Sequence, residues 1–188
     1  MIYQKADIAK LKNVSPVKQM IAVLPINTRR RIKSVKLYSP SATEIIDKMA
    51  VHIGIYIVDE NGKTLLESLL EPALTAWEAN QRQDLRGAYH AFTAALVRNL
   101  PIILGFKATI ERVQDKRLKG HEIAWDCLSM TFKEWLDLSD WVSFEVSGRV
   151  DPKWLENENL GYAMAHTIIP HSSFACLGVP SVSDRHAS

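Results

Sequence analysis

Acidic side chains are missing from a long early stretch of this 188-residue chain. Residues 8–43 hold no Asp or Glu, yet they carry eight basic groups: Lys10, Lys12, Lys18, Arg29, Arg30, Arg31, Lys33 and Lys36. Residues 1–7 hold one group of each sign, Lys5 and Asp7. Of the 23 basic and 21 acidic residues, 14 and 20 therefore fall in residues 44–188, a net of −6. Cysteine is scarce as well. Cys127 and Cys176 are too few and too far apart for a disulfide framework, so a reducing compartment is expected. No apolar run approaches the ~20 residues of a membrane helix. Met1 is followed by Lys5, Asp7, Lys10 and Lys12 with no apolar stretch, so no secretory leader is expected and the location reads as cytoplasmic. Also missing are a P-loop, a Gly-x-Gly-x-x-Gly turn and a Gly-x-Ser-x-Gly elbow. Nothing in the sequence argues for an enzyme, and no cofactor or metal is expected.

What is present is ordinary for a folded chain: 47% hydrophobic and 23% charged residues. That composition excludes wholesale disorder and collagen-like architecture, and the length suits one compact domain with a small appended arm. The +8 segment beside a −6 body is the exception. Clustered like charges repel unless an anion neutralises them. Nucleic acid, an acidic membrane surface and the chain's own acidic body are the candidate partners. A membrane-surface helix would set Trp, Phe or Leu opposite a basic face. Residues 8–43 contain no Trp or Phe, and Pro16, Pro25 and Pro40 interrupt any long helix. Nucleic acid is therefore favoured.

The order of elements narrows the choice. Residues 1–28 read as a basic arm, with Ile21 to Ile26 a short edge strand broken by Pro25. Residues 29–38 read as an extended strand ending at Ser39-Pro40. Alternation then puts Ser34, Lys36 and Tyr38 on one face and Lys33, Val35 and Leu37 on the other. The pattern is imperfect, since Ile32 falls on the polar side. A helix follows, with Ser41 and Glu44 as capping box and Ile45, Ile46, Met49 and Ile53 at helical spacing. Ile53 to Val58 suits strand or helix equally, and Asp59 to Gly62 is a turn. Thr64 caps a further helix through Leu65, Leu66, Leu69 and Leu70, which Pro72 kinks or divides. Residues 73–100 read as helix with a break near Asp84 to Gly87, and Leu85, Tyr89, Phe92 and Leu96 form its apolar stripe. Residues 102–128 are a hairpin around Lys119-Gly120 or a helix over Ala108 to Lys119. Thr131 and Glu134 make a second capping box, Trp141 to Val146 alternates as a strand, and Asp151-Pro152 starts a helix running toward Ile169.

A short basic strand, a capped helix, a glycine turn and a second helix resemble the ribbon-helix-helix DNA-binding proteins. The larger body makes the chain similar to the AcaB-like transcriptional regulators of conjugative plasmids, in which such a motif joins a helical body. The resemblance implies a homodimer that lays a two-stranded ribbon in the major groove of double-stranded DNA. Ser34, Lys36 and Tyr38 would face the bases. Arg29, Arg30, Arg31 and Lys33 would neutralise phosphates, Lys63 and Thr64 would sit beside a phosphate, and Leu37, Ile45, Ile46 and Met49 would form the dimer core.

The expected fold is thus mainly α with a short N-terminal β element and a larger helical α+β body. Residues 29–78 form the DNA-binding segment, 79–177 the body and 178–188 a tail. The expected function is sequence-specific duplex DNA binding in transcription regulation. The alternative is a structural or assembly protein of a phage or mobile element, whose basic arm binds a neighbouring subunit's acidic body. Three other features are weighed and read structurally. His166, His171, Cys176 and His186 match no standard zinc spacing. Cys127, with His121 or His90 as a conceivable base, reads as a buried thiol beside Trp125. Glu67, Glu71 and Glu78 read as a solvated acidic face.

Overall fold

Pro25 and the Ser39-Pro40 pair bound the first full helix, α1 (Ile26–Tyr38). This corrects the expected strand over residues 29–38. The reason lies in the residues that misfit the alternation. Thr28, Ile32 and Val35 recur at spacings of four and three, and all three are buried on one helical face. The Arg and Lys residues between them are good helix formers. Ahead of α1, Ala22 and Val23 are helical, so the expected edge strand there is also replaced.

The computed structural model describes residues 2–4, 18, 22–53, 62–113, 123–138, 141–148 and 158–169. The reading of residues 54–61 as strand, helix or turn therefore lies outside the described residues. So do the bulk of residues 1–21, the Lys119-Gly120 tip, the helix start at Asp151-Pro152 and the 178–188 tail.

Ser39 is extended (φ −140°, ψ 101°), as the proline after it requires. Its hydroxyl accepts from the Ala42 N–H at 3.1 Å, and Pro40 takes the first position of α2 (Pro40–Ile53). The cap of α2 is therefore Ser39 rather than Ser41. A missing proline N–H costs nothing at that position. Thr64 caps α3 (Leu65–Asn80) by accepting from the Glu67 N–H at 3.1 Å. Pro72 lies inside α3 on its exposed side, and the helix runs through it. Asp84 caps α4 (Leu85–Asn99), in line with the expected break. A 3-10 turn, η1 (Leu100–Gly105), carries Pro101. The Thr131–Glu134 capping box opens α5 (Phe132–Asp137), and α6 (Glu158–Ile168) follows later.

The described residues include four strands, β1 (Ile2–Gln4), β2 (Phe106–Val113), β3 (Ile123–Ala124) and β4 (Trp141–Gly148). They form one antiparallel sheet in the order β1-β4-β2-β3. The hairpin reading of residues 102–128 thus prevails over the helix. On β2, Phe106, Ala108 and Ile110 are buried while Lys107 is exposed, the period of a sheet with one covered face. Phe144 and Val146 of β4 are buried as expected. The protein is mainly α with a small β part. Its N-terminal strand lies at residues 2–4 rather than 29–38 and pairs with β4, with Ile2 opposite Glu145.

One hydrophobic core runs from Leu24 to Ile169 and includes Ile45, Ile46 and Met49 of α2. Those three were expected at a dimer interface, yet each is fully buried within its own chain. The boundary expected at residue 78 falls inside α3, which packs along α4 as a helical hairpin. Beneath the helices Phe132 centres an aromatic cluster. Its ring centroid lies 5.2 Å from Trp125, 5.2 Å from Trp135 and 5.7 Å from Phe144. Among the described residues no helix is long and apolar enough to cross a membrane.

At the crossing of α6 over α4, Gly161 leaves no room for a side chain. A Cβ there would collide with the Val97 carbonyl and touch Pro101. Gly161→Ala would therefore force backbone apart at a buried contact. It should cost about 1–3 kcal/mol in urea unfolding despite the gain in helix propensity.

Candidate functional site

The basic residues of α1 divide into two groups. Arg31 turns inward across α3. Its Nη1 donates to Glu71 at 2.8 Å, its Nε to Glu78 at 2.7 Å and its Nη2 to the Thr75 hydroxyl at 2.9 Å. Thr28 donates to the other Glu71 oxygen at 3.2 Å. Glu71, Thr75 and Glu78 lie along one side of α3, since residues four and seven apart share a helix face. The hydrogen bond to Glu78 is the largest influence raising the guanidinium's already high pKa. Glu71 and Glu78 keep part of their surface in water, as expected of a solvated face, but they also seat α1. Lys36 pairs with Asp47 of α2. Two of the expected DNA-binding residues, Arg31 and Lys36, are committed to the chain's own carboxylates.

Arg29, Arg30 and Lys33 form the second group. They are exposed, and no carboxylate among the described residues pairs with them. A helix advances about 100° per residue. Ile26, Arg30, Lys33 and Leu37 therefore line one stripe opposite the buried Thr28, Ile32 and Val35, with Arg29 beside it. Leu37 is 75% exposed and Ile26 56%, and Val23 and Tyr38 flank them. Leu37, expected in a dimer core with Ile45, Ile46 and Met49, lies on the outer face of α1, apart from those three buried residues.

The expected base-facing trio does not stay together. Ser34 and Tyr38 lie about 40° apart on the helix, but Lys36 is about 200° from Ser34 and points at α2. Lys63 and Thr64 open α3, about 10 Å of helix rise before Glu71, and are not gathered onto the α1 stripe. Reading residues 29–38 as a strand hides the exposed aliphatic ends of that stripe, because it puts Leu37 on an inner face. A helical wheel of residues 26–38 exposes them at once.

Apart from the α1 stripe, a concave region lies where α2 meets the start of α5 and the end of α6. This cleft of about 560 Å³ is lined by Pro40, Thr43, Glu44, Asp47, Lys48, Val51, His52, Thr131 and Thr167. Glu44 and Lys48, one turn apart on α2, approach to 3.8 Å along its α2 side. At its base His52 Nε2 lies 2.7 Å from the Cys127 carbonyl oxygen. A carbonyl only accepts, so Nε2 carries the proton. Burial dominates the environment of His52 and lowers its pKa, against the smaller raising effects of the Cys127 carbonyl and Glu134. Burial likewise pushes the Cys127 thiol up to about 11, with Asp126 adding to the shift. A neutral imidazole and a protonated thiol supply no activated nucleophile. Cys127 packs near Trp125 as a buried thiol. His90 packs edge-on against Tyr89, and His121, His171, Cys176 and His186 lie outside the described residues. No three His, Cys, Asp or Glu side chains among the described residues gather as a metal ion would need.

No protein-family model matches the chain, and neither the curated proteins nor the solved structures contain a match. The reading of function therefore rests on the geometry of α1.

Removing the guanidinium at the α1–α3 seam leaves two carboxylates facing each other's field. Arg31→Ala should lower stability by about 1–2 kcal/mol in urea unfolding, and Arg31→Lys should restore only part, because an ammonium cannot span three acceptors. The His52 environment sets a pH dependence. Its folded pKa lies below the ordinary 6.5, so the unfolded chain takes up the proton first. Stability should be full above pH 6.5, fall as the pH drops toward the folded value, and level off below it. His52→Gln should remove that part of the decline in the thermal midpoint.

Proposed function

We propose that this chain is an assembly protein, acting in the cytoplasm, that associates with further copies of itself through the outer face of α1. The observation that carries this reading is the composition of one exposed stripe: Ile26 and Leu37 bracketing Arg30 and Lys33. Exposed aliphatic side chains beside charge are the mark of a protein-binding patch. A phosphate-binding face has no use for them. Among the described residues the three cations have no carboxylate partner, and residues 44–188 carry a net of −6, so neighbouring copies offer complementary charge.

A second reading is favoured by the same three cations: duplex DNA held through its phosphates, as a dimer or monomer. The major groove admits a helix. The strand on which base reading by Ser34, Lys36 and Tyr38 depended is a helix, so this reading keeps phosphate contacts by Arg29, Arg30 and Lys33 alone. Three such contacts imply an affinity that falls about 40-fold between 50 and 200 mM salt.

Sedimentation of the full chain over a wide concentration range separates the two. Self-association that weakens with salt is expected. Arg30→Glu combined with Leu37→Ser should shift the association constant at least tenfold, since burying one leucine contributes about 1.5–3 kcal/mol. A chain that stays monomeric throughout yet binds a labelled duplex would overturn the assembly reading.

A further inference from the structure

Large hydrophobic side chains are exposed at seven described positions: Val23, Ile26, Leu37, Tyr38, Leu85, Leu128 and Leu138. Four of them belong to the basic α1 region. Two more, Leu128 and Leu138, lie on residues 126–138, the turn before α5 and α5 itself. That segment is acidic. Asp126, Glu134 and Asp137 are exposed there against the single cation Lys133, which already pairs with Asp137. The chain therefore carries two mixed surfaces of opposite sign, each with aliphatic groups in water. Both are exposed in the same chain, so neither covers the other.

We infer that the surface receiving α1 is the acidic, leucine-bearing segment 126–138 of a second copy. This inference rests on the assembly reading above. Two of the carboxylates are held in place before any partner arrives. Asp126 accepts from the Leu128 N–H at 3.0 Å and from the Ser129 hydroxyl, and Glu134 accepts from the Thr131 N–H at 2.7 Å. Those bonds lower both pKa values, for Asp126 mainly through Ser129 and for Glu134 mainly through Thr131, which keeps the two groups ionised. A fixed carboxylate loses little side-chain freedom on binding. Arg29, Arg30 and Lys33 would meet these anions while Ile26 and Leu37 cover Leu128 and Leu138. A patch that binds a different patch makes a heterologous contact.

Such a contact is tested by complementing two broken chains. Variant A carries Arg30→Glu and Lys33→Glu, and variant B carries Asp137→Lys and Leu138→Lys. All four positions are exposed, and circular dichroism with a thermal melt checks folding. If B does not melt cooperatively, Asp137→Lys alone replaces it. Each variant by itself should associate at least tenfold more weakly than the natural chain. Mixed together they should form a 1:1 complex, because A keeps an intact acidic segment and B an intact α1. A mixture that stays monomeric, or a B that assembles as well as the natural chain while A does not, overturns this inference and leaves the assembly reading standing. A natural chain that is monomeric throughout overturns both.

Discussion

The docking of α1 onto α3 decides what the rest of the surface can do. Thr28, Ile32 and Val35 bury one face of α1, and Arg31 reaches from its edge to Glu71, Thr75 and Glu78. Burial supplies the larger free energy, since each fully covered aliphatic side chain contributes about 1.5–3 kcal/mol whereas a surface ion pair contributes less than about 1. The ion pairs contribute orientation instead. Rotating α1 by one position would strand Arg31 away from three acceptors and put Arg30 or Ile32 in its place. The clamp thereby determines that Arg29, Arg30 and Lys33 face outward.

That division explains why the basic stretch was visible in the sequence and its use was not. Charge counting finds eight cations with no acid among them, but it cannot tell Arg31, satisfied within the chain, from Arg30, which is not. The strand assigned to residues 29–38 failed on period. The buried Thr28, Ile32 and Val35, separated by steps of four and three, cannot share one face of a strand, and the misplaced Ile32 is the sign. The residue before Pro40 was read correctly as extended, yet the cap was placed two residues late, because a proline at the first helical position lets Ser39 itself take the capping role. Local signals with a hydrogen bond attached fared better. Thr64, Asp84 and the Thr131–Glu134 box all begin helices where side-chain chemistry says they should.

Tertiary context governed what propensity could not. Ile45, Ile46 and Met49 form a convincing apolar face, and the sequence alone could not say whether it meets a partner or the chain's own α3 to α6. Glu71 and Glu78 read as solvated because their partner lies forty or more residues earlier. His52 became notable only when the fold set it against the Cys127 carbonyl.

The pairing of β1 with β4 has a consequence for how the molecule is made. Ile2 leaves the ribosome long before its neighbour across the sheet, Glu145, has been synthesised. β1 must wait without its neighbour while the α3–α4 hairpin, whose contacts are close in sequence, is free to form. β1 is thus stitched into the sheet only once β4 exists, and a nascent chain halted before β4 would keep that strand's edge unzipped.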